Sequence, residues 1–308
     1  MPGFPPQMMG SFGSAPQLFI AINSANDAMT SPDGITWTAH TNCMSTNNSW
    51  ASIAFGASTF CAVGQAAVSV CNTSSDGVTW SPHTVPDASA WQIAYGAGLF
   101  VATMQSATAL GDVITSPDGV TWTKRTATTN SNWNVLGWNG SYFVAIRQGT
   151  TGCVMKSADG ITWAAYDLPS SNGVLNVTFG NGVWVLVSSS GGARVTTSAD
   201  GQTWTDRTAA QAIAWQDVAF GNGVFVAVAN SGTNRVMTSP DGITWTTRTP
   251  VSDSAWVSID FANDIFVAVA GSGTHRVMTS PDGITWTART SALGTDALGV
   301  VGHGTNPN

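Results

Sequence analysis

The chain has 308 residues, 43% apolar and only 9% charged, with a net charge of −7. That charge content is far below the roughly 25% of an average soluble domain, yet 14 tryptophans argue against a disordered chain. All 17 acidic residues are aspartates, so helix formers are scarce, and ten lysines and arginines leave no basic face for nucleic acid.

Residues 1–16, MPGFPPQMMGSFGSAP, lack the basic segment and apolar core of a secretory signal. They read as an extended arm on a chain made in the cytoplasm without export. Phe4, Met8, Met9 and Phe12 suit it to a groove on another protein. No apolar run approaches the ~20 residues of a membrane helix, so no membrane insertion is expected.

From residue 17 the chain repeats. The run TSPDGITW of residues 30–37 recurs, with its aspartate at Asp33, Asp76, Asp118, Asp159, Asp200, Asp241 and Asp282. The matching tryptophans are Trp37, Trp80, Trp122, Trp163, Trp204, Trp245 and Trp286, and the interval settles at 41 residues. One period, residues 215–246, holds four strand-like runs: 215–220, 224–228, 235–238 and 243–246. Four short strands per period of this length predict an all-β, seven-bladed β-propeller of four-stranded antiparallel blades over residues 17–308. The first repeat begins at its second strand, and residues 298–302 supply a first strand. The last blade is therefore expected to combine residues 18–38 with 297–304, closing the ring and leaving no free edge.

Ser-Pro-Asp-Gly is a turn: Pro sets φ, Gly accepts positive φ, and the Asp carboxylate takes nearby backbone N–H groups. This run, with its Trp three residues on, resembles the Asp-box (BNR) repeat of sialidase-like propellers, minus one residue between Asp and Gly. The resemblance spans nearly all the chain after residue 17. It implies structural boxes at the turn between third and fourth strands, away from the binding face. It also implies a sialidase apparatus of arginine triad, Tyr–Glu nucleophile and Asp acid, which cannot be assembled without Glu. No carboxylate pair is marked for glycosidase work. His40, His83, His275 and His303 and the four cysteines show no zinc-like spacing, so no metal or cofactor is expected. Cys61 and Cys71 fall on neighbouring strands of one blade, as two buried thiols or a cross-strand disulfide.

Two arginine columns stand out. Arg125, Arg207, Arg248 and Arg289 follow the box Trp by three residues, a position held by His40, His83 and Tyr166 in the other blades. Arg194, Arg235 and Arg276 precede the box Asp by six. Both columns are expected on the face opposite the boxes, as strand-end caps or as a guanidinium ring for carboxylate or phosphate groups. A third column, Trp50, Trp91, Trp133, Trp215 and Trp256, opens first strands. It can wedge blades apart or offer a stacking surface for sugars. The resulting expectation is a non-enzymatic binding or structural propeller, a bacteriophage virion component (tail or capsid appendage). It would contact host-surface glycan through these arginines and tryptophans, and neighbouring virion proteins through the arm. A bacterial lectin or assembly-factor propeller is the alternative, and a glycosidase a lesser one.

Overall fold

The computed structural model describes residues 17–44, 49–65, 70–86, 90–104, 113–128, 132–147, 153–170 and 172–305. The arm, residues 1–16, lies outside them. The described residues form seven four-stranded antiparallel sheets and no helix. Blades 1 to 6 span residues 49–84, 90–125, 133–167, 174–207, 215–248 and 255–289, and each follows chain order from its inner to its outer strand. Blade 7 joins both ends of the repeat. Leu298–Thr305 is its first strand and pairs with Gln17–Asn23, followed by Ala28–Ser31 and Thr38–His40. The chain is a closed seven-bladed β-propeller, as the split repeat predicts.

Second strands read as unbroken apolar runs because neighbouring blades cover both their faces. In blade 5, Phe225, Val226, Ala227, Val228 and Ala229 are fully buried. Inner strands pack through a glycine and an aromatic ring. A Cβ on Gly221 of blade 5 would lie 2.1 Å from the Phe261 ring of blade 6, and the same juxtaposition joins Gly56 to Tyr95, Gly96 to Trp138 and Gly180 to Phe220. Glycine at the end of the inner strand is therefore the seat for the next blade's ring.

Each box carboxylate is held alike, and every box tryptophan but Trp204 bonds the box glycine. In blade 5, Asp241 Oδ1 accepts the Ser239 hydroxyl at 2.9 Å and the N–H groups of Ile243 and Thr244 at 2.8 and 2.9 Å. Trp245 Nε1 donates to the Gly242 carbonyl at 3.0 Å. These bonds hold each box carboxyl below its ordinary value, against the opposing effect of partial burial. The same captures shift the fourth strand. It was expected at residues 243–246, but Asp241 holds the N–H groups of 243 and 244, so pairing begins only at Thr246–Arg248. Box glycines reach the preceding blade, Gly242 facing Val185 and Gly283 facing Val226. Each box thus closes its own hairpin and touches a seam.

Cys61 and Cys71 are buried free thiols. They lie diagonally rather than opposite, since Cys61 pairs with Thr73 and Cys71 with Val63. Burial pushes the Cys61 thiol well up.

Candidate functional site

The two arginine columns part company in three dimensions. Arg125, Arg207, Arg248 and Arg289 end outer strands, at the edge of the blade away from the box. Their side chains lean back along the strand, and each Nε donates to a third-strand threonine: Thr115, Thr197, Thr238 and Thr279, at 2.8–3.0 Å. Those threonines lie two residues nearer the box turn than the arginines' own pairing partners, Val113, Val195, Val236 and Val277. The guanidinium groups therefore sit half-buried along the outer rim, leaning toward the boxes instead of projecting from the opposite face. This changes the expected placement, and the cause is the threonine hydroxyl. His40 and His83 use the same device, bonding Thr30 and Thr73 at 2.9 and 2.8 Å. Blade 3 departs. Tyr166 replaces the cation and Lys156 the threonine, with Lys156 Nζ donating to the Asp200 carbonyl at 2.8 Å and lying over the Tyr142 ring.

The terminal nitrogens of Arg125, Arg207, Arg248 and Arg289 have no partner among the described residues, and no ion pair there engages them. The second column is differently employed. Arg276 donates to the carbonyls of Gly273 and Thr295, and Arg235 to those of Gly232 and Asp253, so both fasten loops between strands and blades. Arg194 keeps Nε and Nη1 buried without a partner among the described residues. The seven guanidinium groups of the two columns resolve into four on the rim, two loop clamps at Arg235 and Arg276, and Arg194, which clamps nothing among the described residues.

In the tryptophan column, none of the residues with a described side chain, Trp50, Trp133, Trp215 and Trp256, has an open face. Trp133, Trp215 and Trp256 are fully buried, and Trp215 and Trp256 donate Nε1 to the carbonyls of Gln211 and Ser252. Of the two roles expected for it, burial fits the wedge and removes the sugar-stacking surface. Trp91 lies one residue out of register, because Ala90 pairs with Met104 where Trp50 pairs with Gly64.

The inner strands surround a central cavity of about 730 Å³. All seven first strands pair irregularly near their start, a bulge that re-aims the following side chain. Five of the re-aimed positions are polar: Ser52, Gln92, Asn176, Asp217 and Ser258. Three of them reach across seams to inner-strand N–H groups. Ser52 accepts Ile93 N–H at 3.3 Å, Asp217 accepts Ile259 N–H at 2.8 Å, and Ser258 accepts Val301 N–H at 3.3 Å. Asp217 also accepts Val218 N–H at 2.7 Å and the Asn176 amide. Burial pushes its carboxyl up to about 7, against the lowering pull of those donors and of Ser258. Two residues farther along, Asp260 Oδ2 meets His303 Nδ1 at 2.6 Å, and Asp260 Oδ1 accepts Phe261 N–H at 2.8 Å. The Asp260 charge raises the imidazole above its ordinary value, although burial opposes it. Asp217 and Asp260 were not singled out from sequence, and His303 was read there only as one of four scattered histidines. Among the described residues no cluster of three or more His, Cys or Asp could hold a metal, and no helix is long and apolar enough to cross a membrane.

Residues 168–301, under half of the chain, match the model of the DUF6242 beta propeller domain. No curated protein matches. Among solved structures the chain is similar to YCF48 bound to D1 peptide, with TM-score 0.62 and 17% identity over 81% of this chain and 85% of that one. It is also similar to virginiamycin B lyase from Staphylococcus aureus, with TM-score 0.67 and 12% identity over 79% and 85%. The Myceliophteria thermophila Cps50 (Swd1) propeller domain aligns with TM-score 0.57 and 8% identity over 82% and 92%. At these identities the likeness is one of fold, and an enzyme stands beside non-enzymes in it.

Proposed function

We propose that this chain is a non-catalytic binding propeller that engages an acidic polymer, such as a carboxylated surface glycan, through its rim arginines. The observation that carries the reading is the repeated Arg–Thr pin. Holding Nε to a threonine fixes the guanidinium and leaves its terminal nitrogens for a bidentate carboxylate or phosphate. Arg207, Arg248 and Arg289 repeat this in three consecutive blades, so single contacts worth about 0–1 kcal/mol sum along a polymer. The channel carboxylates favour a non-catalytic role. Both oxygens of Asp217 and of Asp260 are already engaged, so neither presents a free acid or base to a substrate.

We place the propeller in a phage virion, as a tail or capsid appendage. The low charge and the Ser-, Thr-, Asn- and Gly-rich surface support this, and peptides of the chain in purified particles test it. The binding reading is tested by retention on immobilised hyaluronate. Saturable retention that weakens as salt is raised is expected, and passage without retention at low salt contradicts it.

A further inference from the structure

The inner strands carry a near-regular pattern that fails at two touching places. Counting from the residue before the bulge, the sixth position is aromatic in six blades: Phe55, Tyr95, Trp138, Phe179, Phe220 and Phe261. In blade 7 it is His303. The fifth position is small in six blades, with Thr178 the largest, and in blade 6 it is Asp260. These two departures lie in adjacent blades and meet at 2.6 Å. A repeat that keeps its packing residues elsewhere has here exchanged two of them for a hydrogen-bonded pair.

Nδ1 of His303 is fixed on Asp260, and Nε2 has no partner among the described residues. The imidazole lines the 730 Å³ cavity, together with Thr178 and Gln216. The Thr178 hydroxyl and the Gln216 amide oxygen are likewise unbonded among the described residues, since Gln216 uses only Nε2, on Ala214 O at 3.3 Å. Three free hydrogen-bonding groups thus border one cavity of ligand size.

We propose that His303, oriented by Asp260, anchors a binding site in the central channel for a small neutral polyhydroxylated ligand, one sugar ring in size. The class follows from charge and hydrogen-bonding capacity. An anion would meet the carboxylates of Asp217 and Asp260. A cation would find their oxygens already taken. An apolar ligand would strand the free polar groups. A hydroxyl both donates and accepts, so it pairs with Nε2 whether that nitrogen is protonated or not, and with a threonine hydroxyl as well. This site shares no residue with the arginine rim, so each reading stands or falls separately.

The test is an NMR titration of the full chain with free hexoses and N-acetylhexosamines at millimolar concentration, following the His303 imidazole. At least one sugar is expected to shift it saturably. The double variant Asp260→Ala, His303→Phe restores the repeat's own residues, should keep a cooperative fold, and is expected to bind that sugar at least tenfold more weakly. Should that variant fail to fold, Thr178→Ala takes its place. Alanine already occupies this position at Ala54, Ala94 and Ala219, and at least a threefold loss is expected. The proposal is overturned if no sugar shifts His303, if neither variant weakens binding, or if acetate or phosphate shifts the imidazole where sugars do not.

Discussion

Asp217 of blade 5 accepts the backbone N–H of Ile259 in blade 6 at 2.8 Å, so a buried carboxylate closes a seam between inner strands. One seam further, Asp260 and His303 do the same for the closing blade. Both contacts make the ring sensitive to pH in the same direction. The Asp217 carboxyl is raised from 3.8 to about 7, so between those values the folded chain holds a proton that the unfolded chain has lost. Stability therefore falls as pH rises through that range. His303 is raised above 6.5. Its stabilisation is complete below that value and is lost as pH climbs through the raised one. The box aspartates act oppositely. Their lowered carboxyls stabilise above 3.8, and that contribution disappears as pH falls through the lowered values. The melting temperature is expected to peak in mildly acidic buffer and decline toward pH 8. Asp217→Asn should flatten the part of the decline below pH 7, and a profile rising from pH 5 to 8 contradicts the assignment.

The box aspartates act as acceptors. Asp241→Ala leaves the Ser239 hydroxyl and the N–H groups of Ile243 and Thr244 without their partner. Because the turn is partly solvated, the cost is about 1 kcal/mol. Asp241→Asn keeps an amide oxygen in place and should cost less than half of that in urea unfolding. Equal losses for the two variants would assign the effect to charge instead of acceptor geometry.

Gly221 and Gly223 flank one turn but are required for different reasons. A Cβ at Gly221 would strike the Phe261 ring at 2.1 Å, whereas at Gly223 it meets nothing within 4 Å but the backbone has φ +76°. Gly221→Ala is expected to cost about 3 kcal/mol, and Gly223→Ala about 1 kcal/mol. Adding Phe261→Leu should recover part of the first loss and none of the second. Equal costs in denaturant unfolding would argue against the seat that Gly221 provides.

The ring and its closure were legible in the sequence because the box needs Ser, Asp, Gly and Trp at fixed offsets, and because the repeat starts at its second strand. The fourth strand was misplaced because Ile243–Trp245 has strand composition, and only the Asp241 carboxylate withdraws its N–H groups from pairing. The lean of the rim arginines was hidden in a pairing of positions. Thr115 and Arg125, Thr197 and Arg207, Thr238 and Arg248, and Thr279 and Arg289 all stand ten apart, a spacing that becomes meaningful once strands three and four are paired. The tryptophan column was ambiguous because one indole serves equally as wedge or platform, and burial alone decides. Asp217, Asp260 and His303 were missed inside strands that read as core. For Asp260 and His303 the available signal was the departure of single residues from columns that are otherwise small or aromatic, whereas Asp217 sits in a mostly polar column and breaks no pattern.

The rim is tested most directly by the triple variant Arg207→Gln, Arg248→Gln, Arg289→Gln, with Arg235→Gln as a control that touches only a loop clamp. Equilibrium binding to hyaluronate is measured for each over a series of salt concentrations. The rim reading predicts at least a tenfold loss of affinity and a shallower salt dependence for the triple variant, with melting little changed and the control binding as the native chain does. Native affinity and native salt dependence in the triple variant would contradict it and reduce these arginines to strand-end caps.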